Sequence, residues 1–184
     1  MYKRIDVLLE GPSDERFFDA VIRPMLQGQY DYVQTWQYAG EKQERIKNYL
    51  RSIRAMKADY FFLKDINTSP CISAKKKVIE QDYNKLTDPA NVLIVVLEIE
   101  SWYLAGLDDK NCEGLGLSNL SHTDDITKEQ FEKLIPEKSI RIDFMIEILK
   151  RFSRETAKSK NKSFSYFLEK LHGTLLKGAS KCKE

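Results

Sequence analysis

Short apolar runs separated by amphipathic stretches set the rhythm of the first hundred residues. Arg4 to Leu9 reads as a strand that stops at Glu10-Gly11-Pro12. Ser13 or Gly11 can cap the helix that follows, with Pro12 in its first turn and Asp14 and Glu15 at its positive end. Phe17, Val21 and Met25, with Phe18, Ile22 and Leu26, recur at helical spacing and give a broad apolar face; Pro24 ends or kinks it. Tyr30 to Tyr38 alternates as a second strand. A helix over Glu41–Lys57 turns Ile46, Tyr49 or Leu50, Ile53 and Met56 inward and a row of Lys and Arg outward. "DYFFLKD" is a third strand ending in Asp65, Ile72–Leu86 a helix, and "NVLIVVLEIE" a fourth strand whose unbroken apolar run suits burial on both faces. Strands alternating with helices predict an α/β fold: a mostly parallel sheet of about four strands flanked by helices.

Past Trp102 the pattern changes. Asp108 to Thr127 is polar and glycine-containing, a loop with turns, and three helical patterns follow at Lys128–Ile135, Ser139–Arg154 and Ser163–Leu171. The final "KGASKCKE" reads as a frayed end. The expected organisation is a core over 1–107 and a helical C-terminal extension over 108–184 packing on it, within a single domain.

Composition narrows the class. At 184 residues, 42% hydrophobic and 32% charged, the chain can bury a real core. "MYKRIDVLLEG" is charged and breaks too early for a signal peptide, and the longest apolar run, Val92–Leu97, is far too short to span a bilayer. Cys71, Cys112 and Cys182 lie far apart and there are two histidines, which argues against a disulfide framework or a structural zinc site and for reduced thiols in a cytoplasmic protein. Charge is uneven. Residues 138–184 carry 12 Lys and Arg against 5 Asp and Glu, so a chain of net charge +2 has an acidic front of −5 and a basic back of +7. That distribution is compatible with a polyanionic partner such as nucleic acid, and equally with a solvated basic tail.

The acidic residues fall where strands end: Glu10 after the first, Asp65 after the third, Glu98 and Glu100 at the fourth. In a parallel sheet these ends share one edge, where ligands of α/β proteins bind. Carboxylates gathered there repel one another unless a cation intervenes, and hard oxygen ligands suit Mg²⁺ or Mn²⁺. Plainer uses exist for each. Glu10 can cap the helix or pair with a lysine, Asp65 with Asn67 can form an Asx-turn, and Glu98 and Glu100 can be the solvated end of an extended strand.

"VLLEGPSDERFF" resembles the first motif of TOPRIM domains, a strand-terminal Glu-Gly followed by a helix, and "DYFFLKDIN" their second, a strand ending in Asp-x-Asp. With "DINTSPCISAKKKVIE", "LEIESWYLAGLD" and "NKSFSYFLEKL" the chain resembles a TOPRIM-like family of unknown function related to the TOPRIM domain of OLD-type nucleases. The resemblance implies a Mg²⁺ or Mn²⁺ site with Glu10 as ligand or general acid/base, Asp65 as ligand and Glu100 as third acid, supported by Asp14 and Glu98. The second Asp of the motif is Asn67 here, whose amide oxygen ligates without adding a charge.

Among the basic residues, Lys75, Lys76 and Lys77 follow Asp65 near a helix start, which favours phosphate. Lys158, Lys160 and Lys162 are further candidates for phosphate contact, beside Asn161 and Ser163 as caps and Phe164, Phe167 and Leu168 or Leu171 as core. Trp102 and Tyr103 read as core. The function expected from these features is metal-dependent phosphodiester cleavage of DNA or RNA. The alternative is a non-catalytic module with a degenerate metal site, working with a partner such as an ATPase.

Overall fold

The computed structural model describes residues 2–180, with 174–180 described by backbone alone. The chain divides into two compact units, Met1–Val95 and Val96–Glu184.

The first unit holds the sheet. Strands β1 (Arg4–Leu9), β2 (Tyr32–Gln37), β3 (Asp59–Asp65) and β4 (Val92–Val95) pair in parallel in the order β2-β1-β3-β4. The predicted α/β fold with a mostly parallel sheet therefore holds, and all of its strand pairs are parallel. Alternation along the strands sorts the side chains onto two faces. Leu8, Phe62, Val92 and Ile94 join Ile46, Leu50 and Ile53 of α3 (Gln43–Ala55) and Ile79 of α4 (Ile72–Asp82) in one buried cluster with Tyr38 and Tyr83. Ile5, Val7 and Leu9 face the other way, in register with Val33, Thr35 and Gln37. The helical segment after β1 covers that side: Glu15 accepts from the Thr35 hydroxyl at 2.5 Å, and Arg23 donates to the Val33 carbonyl at 2.8 Å.

That segment is α1 (Pro12–Phe17), a π-helical turn (Phe18–Ile22) and α2 (Arg23–Leu26). Pro24 lacks an N–H, so the chain changes helical register just before it and restarts with the proline in the first turn of α2. Met56, expected inside, is half exposed because α3 stops at Ala55. The helix expected to reach Leu86 ends at Asp82, where Asn84 and Lys85 turn left-handed.

"NVLIVVLEIE" is strand only to Val95. Leu97 adopts a left-handed conformation (φ 62°), and Glu98 opens α5 (Ile99–Ala105) as its N-terminal flanking residue. Glu98 and Glu100 therefore do not share the face of an extended strand, as the apolar run suggested.

The second unit is helical: α5, α6 (Asp109–Gly114), α7 (Lys128–Lys133), α8 (Arg141–Lys150), α9 (Arg154–Lys160) and α10 (Lys162–Ser180). Trp102 is its centre, with the Phe164 and Phe167 rings 5.2 and 5.0 Å away by centroid. Its indole N–H donates to Ser163 Oγ at 3.0 Å, and the Val96 N–H donates to the same oxygen at 3.0 Å. Asn161 caps α10, accepting the Phe164 N–H at 2.9 Å. The polar stretch 108–127 contains α6, started by Asp108, whose carboxylate accepts the Asn111 N–H at 2.8 Å. The single helix expected over Ser139–Arg154 is α8 alone; Ser153 then caps the separate α9. At the C-terminus, 177–180 continue α10 rather than fray, and Cys182 with the rest of 181–184 lies outside the described residues.

Candidate functional site

The carboxyl ends of β1 and β3 are adjacent, and each carries an acid. Leu8 pairs with Phe62, so the same register carried forward sets Glu10 level with Lys64 and one residue short of Asp65. The ladder runs slightly past the strands: Ala39 N–H donates to the Glu10 carbonyl and Ile66 N–H to the Val95 carbonyl, both at 2.9 Å. The backbone under the acids is therefore tied at both flanks.

Tyr38 joins them. Its hydroxyl is buried, donates to the Leu63 carbonyl at 2.7 Å and lies 3.4 Å from Glu10 Oε2. Burial pushes the phenol well above its ordinary pKa, and the negative charges of Glu10, Asp14 and Asp65 push it further. One hydroxyl thus feels three of the predicted acids. Asp14 is buried and has a local task as well: its carboxylate accepts the Gly11 N–H at 3.1 Å across the first turn of α1.

Lys64 stands on the opposite face of β3 from Asp65 by strand alternation. Its ammonium lies 4.6, 5.2 and 5.7 Å from the ring centroids of Tyr38, Phe62 and Tyr83. Desolvation lowers its pKa and the Lys75 charge adds to that, while Glu10, Asp82 and Asp65 oppose it. Asn67 lies in the turn closed by Ser69 N–H on the Ile66 carbonyl (3.1 Å), exposed and left-handed at φ 49°. Asparagine tolerates that backbone better than most residues, which gives Asn67 a conformational reason to be there.

The acids of the second unit have other partners. Glu100 is buried in an ion pair with Arg141, which also bridges Glu132. Burial raises the Glu100 pKa; Glu98 adds to the rise, while Arg141 and Lys128 oppose it. The Glu98 carboxylate accepts the Lys128 N–H and so caps α7 alongside Thr127.

The lysines separate as well. Cys71 caps α4, its Sγ accepting the Ala74 N–H at 3.5 Å, and Lys75 near the helix start is close enough to act on Lys64. Lys76 donates to the Pro89 carbonyl at 2.6 Å, and Lys77 lines a surface depression with Glu80, Gln81, Asn84 and Lys85. In the second unit Lys160 donates to the Leu107 carbonyl at 2.8 Å, Lys162 lies 3.9 Å from Asp124, and Lys158 is exposed on α9.

No family model, curated protein or solved structure matches this chain. The donor set speaks instead. Among the described residues no group of three or more His, Cys, Asp or Glu is arranged to hold a metal ion. Mg²⁺ commonly needs less, being held by one or two carboxylates with water and substrate phosphate completing its shell. Glu10 and Asp65 meet that requirement in ligand chemistry. Sequence reasoning missed Tyr38, Lys64 and Arg141. Tyr38 and Lys64 could have been noticed because each lies within a strand pattern that ends at the acidic edge; nothing local marks Arg141.

Proposed function

We propose that the carboxyl edge of the first unit cleaves phosphodiester bonds of DNA or RNA with a divalent metal. The observation that supports this best is that Glu10 and Asp65 stand at adjacent strand ends, with the buried Tyr38 hydroxyl 3.4 Å from Glu10 Oε2 and beside a lysine. Glu10 and Asp65 would hold Mg²⁺ or Mn²⁺, with the Asn67 amide a weaker donor. The bound ion would polarise the scissile phosphate and acidify an attacking water. Tyr38 stays protonated and fixes the edge through the Leu63 carbonyl, so Glu10 is left to take up or return a proton. Lys75 offers a charge for the nucleic-acid backbone that reads no sequence.

Cleavage of labelled single- and double-stranded DNA and RNA with Mg²⁺ or Mn²⁺ tests this. Wild type should cleave at least one of them, and Glu10→Gln should be slower by about 10²–10⁴-fold at unchanged circular dichroism. Unchanged activity in the variant would remove Glu10 from the chemistry.

The Glu100–Arg141 ion pair favours a second reading, a non-catalytic module with a degenerate metal site that serves a partner such as an ATPase. Under that reading neither wild type nor Glu10→Gln cleaves any of the four substrates.

A further inference from the structure

Lys64 is placed unlike the other lysines of the first unit. Its side chain leaves β3 one residue before Asp65 and lies among three aromatic rings, Tyr38, Phe62 and Tyr83, all of them buried. Among the described residues its ammonium makes no hydrogen bond and no ion pair; it contacts the ring faces. Aromatic faces attract the charge and leave its three N–H donors to water or to a ligand. The rings also hold the long side chain in one place before any ligand arrives, removing a rotamer cost that a free lysine would meet on binding. The group that would satisfy those donors is anionic and rich in oxygen. Beside Glu10, a carboxylate ligand would be repelled unless a cation intervened, whereas a phosphodiester bridged by that cation would be drawn in.

We propose that Lys64 is the residue of this edge that binds the phosphodiester oxygens of the nucleic acid, pre-positioned by the Tyr38, Phe62 and Tyr83 rings. This rests on the phosphodiester reading of the edge and assigns its substrate contact to a residue the acidic motifs do not include. Binding rather than turnover is the direct consequence, so the two can fail separately.

The test is fluorescence anisotropy with labelled 20-nucleotide DNA and RNA strands of one sequence, in Ca²⁺ to slow cleavage. The proteins are wild type, Lys64→Met, Lys64→Arg and Lys85→Met. Methionine keeps the apolar stem against the rings, so thermal unfolding should stay close to wild type. Lys64→Met should weaken binding about ten-fold, for the DNA arm, the RNA arm or both, which identifies the source of the phosphodiester. Lys64→Arg should recover most of the affinity, and Lys85→Met, which removes one exposed charge elsewhere on the same unit, should change it less than two-fold. Equal affinity for Lys64→Met and wild type would overturn the proposal, as would a loss matched by Lys85→Met. Wild type that binds neither strand would overturn both this proposal and the function it rests on. Binding that depends on Lys64 without any cleavage in Mg²⁺ would uphold the proposal and overturn only the catalytic reading.

Discussion

Asp6 is fully buried in the middle of β1, where the sequence pattern shows a strand and nothing else. Arg4 holds it through two contacts of 2.8 Å, and the Tyr49 hydroxyl donates to it at 2.8 Å. Removing the carboxylate leaves both partners facing a hole, so Asp6→Ala should cost about 2–4 kcal/mol in urea unfolding. Gly106 is glycine for a different reason: its φ is ordinary, but a Cβ there would lie 2.1 Å from the Phe152 ring. Gly106→Ala should therefore destabilise by about 1–3 kcal/mol, measured the same way. Glu100 gives a pH signature. Its folded pKa is raised above the ordinary 4.5, so the folded state holds its proton more tightly than the unfolded chain does. Its contribution is full below pH 4.5 and is lost as pH rises through the folded pKa. Wild type should lose stability relative to Glu100→Gln as pH rises from 4.5; a constant difference between pH 4 and 8 would contradict this. The acids were legible in the sequence as types, but their partners were not. Arg141 lies 41 residues from Glu100 and Tyr38 28 from Glu10, and no local pattern encodes such pairings.

Helix and strand ends decide what the acids do. Leu97 turns left-handed two residues after β4, and this turn moves Glu98 from a strand to a helix start. The carboxylate of Glu98 then accepts the first N–H of α7, while Thr127 and Gln130 close a capping box around the same turn. Glu98→Ala should cost about 1 kcal/mol in thermal or urea unfolding, whatever it does to activity. The elements with strong periodicity were legible: β1, β3 and β4 from their apolar runs, α3 from its stripe. α9 was not, because "RETAKSK" buries only Ala157 and carries no stripe to find. The end of β4 was not legible either, since the apolar residues continue past the point where the backbone turns.

At the scale of the molecule, alternation of strand and helix was enough to give a parallel sheet, and that sheet brings Glu10 and Asp65 to adjacent strand ends. Glu98 and Glu100 take structural tasks within the second unit that depend on the folded backbone. The central claim is that Glu10 and Asp65 hold a divalent cation. Calorimetric titration of Mn²⁺ into wild type and the Glu10→Gln/Asp65→Asn double variant, with and without an oligonucleotide, tests it directly. The account predicts a saturable site in wild type that weakens at least ten-fold in the double variant. Equal binding by both proteins, or no binding by wild type under either condition, would contradict it.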